Sequence, residues 1–124
     1  MFSMRIAALL AAVSGLAFAD SWVGALVDSK CYAALERNRS PTDQLYNVDR
    51  DRGEEVLYCS PSVKTKAFGV VPRDGRRSFD LDAAGNAQAA DLVAKAGKKK
   101  AYVVDVSGQR AKNTVTVDSL SLAK

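Results

Sequence analysis

Nine residues carry most of the chemistry this sequence offers: Cys31 and Cys59, the tyrosines Tyr32, Tyr46 and Tyr58, and the arginines Arg37, Arg39, Arg50 and Arg52. All of them fall between positions 31 and 59. Aromatic rings interleaved with guanidinium groups can stack on sugars or bases and grip anions, which makes this stretch a candidate ligand surface. The same residues also suit a plainer role, in which the phenols anchor a loop by packing and the arginines solvate it. With only four tyrosines in 124 residues, the plainer role carries more weight. The neighbouring pairs Asp49/Arg50 and Asp51/Arg52 read as solvated surface, since exposed ion pairs are common and weak.

The two cysteines make an even count, with no Cys-x-x-Cys spacing and no histidine to lower a thiol pKa. A bridge between them would close a loop of 27 intervening residues. The chain-entropy model values such a closure at about 3.5 kcal/mol, a large share of a small domain's stability. The alternative is two free thiols, one of them reactive.

Catalysis finds little support. The chain has no histidine, which removes the usual general base, the commonest metal ligand and the base of a serine triad. Transition-metal sites need clustered Cys, His or carboxylate ligands, so neither a metal nor another cofactor is expected. Glu54 and Glu55 are adjacent and would diverge in a strand, unlike the facing carboxylates of a glycosidase. Glycine-rich phosphate loops are absent from the sequence.

The N-terminus carries an address. Arg5 precedes an Ala/Leu-rich run from Ile6 to Phe18, and Ala17-Phe18-Ala19 has the small-x-small pattern of a signal-peptide cleavage site. Residues 1–19 are therefore expected to be removed, leaving 20–124 as one domain that starts at Asp20. A retained anchor is the alternative, but the apolar run falls short of the roughly 20 residues a span needs. Export to the periplasm or outside the cell is expected, with no membrane span after cleavage. Losing Arg5 lowers the formal net charge from +4 to +3, which suits solubility without demanding a nucleic-acid partner.

The elements that must position the candidate residues read as mainly β. Ser21 to Val27 alternates so that a first strand buries both faces, with Gly24 marking a bend, and Asp28-Ser29 ends it. Positions from about 30 to 63 are polar and rich in turn formers after a short helical turn at Cys31, and are expected to form a long loop pinned by the disulfide. A second strand follows at 66–71, then an Asp74-Gly75 hairpin, then a third strand in which Phe79 and Leu81 point inward. Asn86 as N-cap, Ala89, Leu92, Val93 and Ala96 on one stripe, and Gly97 at the C-terminal stop predict a helix. Lys98-Lys99-Lys100 opens a fourth strand as a solvated edge, and 107–113 is a turn. In the last strand the apolar parity switches near Asp118-Ser119, the signature of a β-bulge. Five short strands with one helix between the third and fourth is the element order of a small oligonucleotide/oligosaccharide-binding (OB-like) Greek-key barrel.

The segment from Gly24 to Cys31 resembles the hydrophobic-Asp-Ser-x-Cys opening of a family of small exported bacterial proteins known as domains of unknown function. The layout after Cys59 is similar too, with Phe68 in a strand, the Asp-Gly hairpin, Leu81 to Asn86 leading into the helix, and a Thr114–Leu120 ending. The resemblance implies a small envelope or extracellular β-barrel and no established activity. Many of those relatives carry a histidine after the first cysteine and a further cysteine near the middle one. Here Tyr32-Ala33-Ala34 and Ser60-Pro61-Ser62 stand in those places, so no metal or redox role carries over.

Three roles follow, in order of preference. The first is a non-catalytic binding module that uses the Tyr/Arg stretch, which a cleft lined by those tyrosines would favour. The second is a structural or protein-contact role in the envelope, which a flat apolar patch would favour. The third is a thiol-redox protein, which would need Cys31 and Cys59 close, exposed and reducible. A ligand or an envelope protein is the expected partner. Nucleic acid is disfavoured by export and by the small charge.

Overall fold

A computed structural model describes residues 19–38 and 48–124. The expected signal segment up to residue 18, and Arg39 and Tyr46, lie outside the described residues, as does the side chain of Arg50. The elements in chain order are β1 (Asp20–Asp28), α1 (Ser29–Asn38), α2 (Val48–Tyr58), β2 (Phe68–Pro72), β3 (Phe79–Leu81), α3 (Ala83–Ala96), β4 (Val103–Ala111) and β5 (Thr114–Leu122).

The strands close into a barrel in the order β1-β2-β3-β5-β4, with β4 returning to β1. Only β3 and β5 run parallel, joined at Asp80↔Thr114 and Leu81↔Val115. β1 makes the closure by pairing with β4 through Asp20–Ala25 and with β2 through Gly24–Asp28. It changes partners at Gly24-Ala25, the position where the sequence predicts a bend. A Cβ on Gly24 would run into the Val71 carbonyl oxygen and lie 2.8 Å from the Pro72 Cα. Only glycine lets the two backbones approach this closely.

The barrel interior holds Trp22, Leu26, Phe68, Val70, Phe79, Leu81, Val104, Val106, Val115 and Val117, and α3 plugs one end with Ala89 and Val93. The Trp22 and Phe79 rings pack 4.9 Å apart at 54°. β1 buries Trp22, Gly24 and Leu26 on one face, but on the other only Val27 is buried, with Ala25 half-buried and Val23 exposed, so the expected two-sided burial holds only at the C-terminal end of the strand. Val27 points away from the interior into a second cluster with Tyr32, Val56, Cys59 and Val71. Phe79 and Leu81 are both buried, and the stripe on α3 faces inward. The parity switch in β5 is also present, since Ser107 pairs with Ser119 and Gly108 with Val117, leaving Asp118 as the extra residue.

Several expectations need correction. Three helices occur among the described residues, where the sequence suggests one between the third and fourth strands. The extra two, α1 and α2, fill much of the stretch expected to be a long loop. α1 forms because Asp28 caps it and Tyr32 and Leu35 give it an apolar side to lay against β1. α3 starts one turn earlier than Asn86 implies. Asp82 is its N-cap, and one carboxylate oxygen of Asp82 accepts from Gly85 N at 2.9 Å and from Val117 N at 3.2 Å. Asn86 instead accepts from Phe68 N at 2.9 Å and fastens the helix to β2. Gly97 does stop the helix, with φ 78°.

The β2–β3 ladder holds only Gly69↔Asp80 and Val70↔Phe79, so the connection is a broad loop and not a tight Asp-Gly turn. β4 begins at Val103, after the exposed lysines, and runs on to Ala111, so the turn before β5 is only Lys112-Asn113.

Candidate functional site

The Asp28-Ser29-Lys30-Cys31 segment is where the barrel and the helical arm are fastened together. One Asp28 oxygen accepts from Cys31 N at 3.1 Å and caps α1, while the other accepts from Thr65 Oγ1 at 3.2 Å. The Asp28 amide donates to the Cys59 carbonyl at 2.7 Å and the Ser29 amide to the Ala67 carbonyl at 2.9 Å. Ser29 Oγ donates to Asp80 Oδ1 on β3 at 3.0 Å. Cys31 and Cys59 form a disulfide that ties the first turn of α1 to the residue after α2. Cys59 is only 1% exposed.

This fastening seats the arm on the outer face of β1 and β2 and leaves beside it a cleft of about 470 Å³ between α1, α2, the β2–β3 connection and the strand surface of β2. That volume lies in the ordinary range for ligand sites. Arg37 reaches the cleft from α1, Arg52 from α2, and Arg76 and Arg77 from the β2–β3 connection, against the carboxylates of Glu36 and Asp80. A second hollow of about 450 Å³, with Val56, Pro72 and Arg73 in its walls, adjoins it on the far side of Arg52.

The four arginines are held differently. Arg76 is spent on the fold: its Nε meets Asp74 Oδ2 at 2.6 Å and its Nη1 meets Asp20 Oδ2 at 3.2 Å. Its Nη2 donates to the Ser21 carbonyl at 3.0 Å, and the guanidinium lies 5.5 Å from the Trp22 ring centroid. Arg77 donates only to a neutral group, Asn113 Oδ1 at 3.3 Å. Its backbone is positioned by Arg110, which donates to the Arg77 and Ser78 carbonyls and stacks over Phe79. Arg37 and Arg52 enter no ion pair among the described residues.

Asp74 shows what this packing does to a charge. The Arg76 amide, which donates to it at 3.0 Å, is the main cause of a pKa below the ordinary 3.8, with desolvation opposing and the Arg76 guanidinium adding to the effect. A carboxyl with a lower pKa folded than unfolded stabilises the loop above its unfolded value, and that contribution is lost as pH falls through the folded value. The Asp74 carboxyl resonance is expected to titrate below 3.8 and to recover only part of the way in Arg76→Ala, which removes the guanidinium but keeps the backbone amide. A midpoint at or above 3.8 in the parent protein would contradict the hydrogen-bonded loop.

No family model matches the chain, and neither does any curated protein or solved structure.

The structure brings together part of the candidate set. Tyr32, Arg37 and Arg52 all line the cleft, but Tyr32 is 5% exposed and serves mainly as packing under the arm. Tyr58 is 77% exposed and lies outside the cleft walls. Arg39, Tyr46 and the Arg50 side chain fall outside the described residues. Sequence reasoning missed Arg77, Asp80 and Asn113. The basic run Arg73-Asp74-Gly75-Arg76-Arg77 was the available signal, and it reads first as turn chemistry. Among the described residues, no group of three His, Cys, Asp or Glu side chains could hold a metal ion, and no helix is long and apolar enough to cross a membrane.

Proposed function

We propose that this protein is an exported, non-catalytic binding module of OB-like Greek-key design that takes its ligand in the cleft under the helical arm. One observation carries this assignment: the cleft holds Arg37 and Arg52, from two different helices, and neither enters an ion pair among the described residues although Glu36 and Asp80 line the same cleft. The strand order, the parallel β3–β5 pair and the placement of α3 between β3 and β4 support the OB-like design. Such barrels take ligands on the face of strands 2 and 3 and on the loop joining strands 1 and 2, and this cleft occupies both places. The disulfide suits an oxidising compartment, and β1 begins at Asp20, directly after the expected cleavage site. Membership of the small exported family with the Asp-Ser-x-Cys opening fits the same picture, since that segment is what joins the barrel to the arm.

The test is amide-shift mapping of the purified protein against a panel of defined oligosaccharides, peptides and dicarboxylates. Shifts at Gly69–Val71 and Ser29–Arg37, with every compound recovered unchanged, are expected. A protein-contact role is the second possibility, favoured by the exposure of Leu57 (54%), Tyr58 (77%) and Val63 (79%) on either side of Cys59. Shifts confined to Leu57–Val63, and seen only with peptides, would replace the cleft by that surface.

A further inference from the structure

We infer that the ligand is a linear acidic glycan, a chain of uronate-type sugars, lying along the helical arm from Arg37 past Arg52 to Arg73. This specificity rests on the binding-module assignment above and deepens it. The two hollows share Arg52, Val71 and Gly75 in their walls, so they adjoin there, and the trough they make up together has Arg52 at its junction. Arg37 stands in the first hollow and Arg73 in the second. Neither enters an ion pair among the described residues. Cations spaced along a trough match anions repeated along a chain better than a single compact anion. The planar guanidinium fork suits carboxylates, which it meets with two parallel hydrogen bonds.

The groups between the arginines decide which kind of polyanion fits. Ser29, Ser78, Asn113 and the carboxylates Glu36 and Asp80 line the cleft, Asp74 lines the second hollow, and Asp80 spends Oδ1 on Ser29 and has Oδ2 to offer to a hydroxyl donor. A carboxylate in the wall repels any anion that faces it but accepts from hydroxyls, so it favours a chain whose charges are separated by hydroxyl-bearing stretches. Single-stranded nucleic acid also needs open aromatic faces for its bases, and the cleft aromatics Tyr32 and Phe79 are only 5% and 2% exposed. Alternating carboxylates and hydroxyls along an uronate chain answer both features of the wall.

Calorimetric titration of the purified protein with a galacturonate hexamer tests this inference. Saturable binding is expected, tighter for the hexamer than for the trimer. It should weaken about tenfold or more in Arg52→Ala, as for loss of a charged hydrogen bond. Raising salt from about 50 to about 500 mM should also weaken it, because the trough is open to solvent. Arg52→Ala is expected to melt with the parent protein, which separates lost binding from lost fold. Equal affinity for a neutral dextran hexamer, with amide shifts in the same cleft, would overturn the acidic specificity and leave the binding module standing. Tighter binding of an oligo(dT) strand than of the uronate would assign the trough to nucleic acid instead. No binding or cleft shift with any of the three probes, or with the wider panel, would overturn both the specificity and the module.

Discussion

A Cys31→Ser/Cys59→Ser double variant is expected to melt about 10–15 °C below the parent protein and to lose the ordered arm before the barrel. The disulfide spans a sequence separation of 28 residues, for which chain entropy gives about 3.5 kcal/mol. A domain of this size shifts by about 4 °C per kcal/mol. The loss should fall unevenly. The barrel keeps its own interior from Trp22 to Val117, whereas α1 and α2 bury little beyond Tyr32, Val56, Cys59 and the outer face of Val27 and Val71. Without the bridge, the arm keeps that small cluster and the bonds at its root, the Asp28 cap, Asp28 N to the Cys59 carbonyl, and Ser29 to Ala67 and Asp80. Amide exchange should therefore rise by orders of magnitude in α1 and α2 while β1, β4 and β5 stay protected. Alkylation of the parent protein before reduction should label neither cysteine. Labelling of both thiols, or a variant that melts with the parent, would remove the staple and bring thiol chemistry forward.

That uneven distribution of stability also explains which parts of the fold were legible in the sequence. The barrel strands announce themselves because each has a dedicated buried face: Phe79 and Leu81 in β3, Val104 and Val106 in β4, Val115 and Val117 in β5. Even the bulge at Asp118 is written as a change of parity. α2 announces nothing. Among the described side chains of Val48–Tyr58, Val56 is the only buried apolar one, and Gly53 interrupts the run. Such a segment has little reason to be helical until the disulfide and the barrel surface hold it, so local propensity points to a loop.

The N-cap of α3 was misplaced for a different reason. Asp82 and Asn86 are both good capping residues one turn apart, and what selects Asp82 is its second, long-range bond from Val117 N. The site follows the same division. Arg37 and Arg52 stand out as cations in a stretch of chain between two cysteines. Arg77 reaches the cleft only because β3 pairs with β5, which sets Asn113 beside it, and no local pattern encodes that pairing.

Gly24→Ala is expected to cost the protein at least about 3 kcal/mol, the upper end of what overpacking a well-filled site does, and to lower its melting temperature by more than about 12 °C. The reason is specific to closure. At Gly24 one strand is paired on both edges, with Pro72 on β2 and Val104 on β4. The new methyl would meet the Val71 carbonyl group and the Pro72 Cα, which are backbone and cannot swing aside. Relieving the contact means parting β1 from β2, and β1 is the strand that joins the two ends of the sheet. Gly108→Ala, opposite the bulge, should behave alike, because its Cβ would meet the Thr116 carbonyl oxygen and stand 3.0 Å from the carbonyl carbon. Gly53→Ala is the counter-test. It makes the same chemical change on an exposed helix with nothing within 4 Å of the new carbon, so the gain in helix propensity should raise stability by up to about 1 kcal/mol. Opposite signs for Gly24 and Gly53 are the outcome expected of a barrel closed through β1. A Gly24→Ala protein that melts within a few degrees of the parent would mean that β1 and β2 do not approach this closely, and the cleft wall built on β2 would have to move with them.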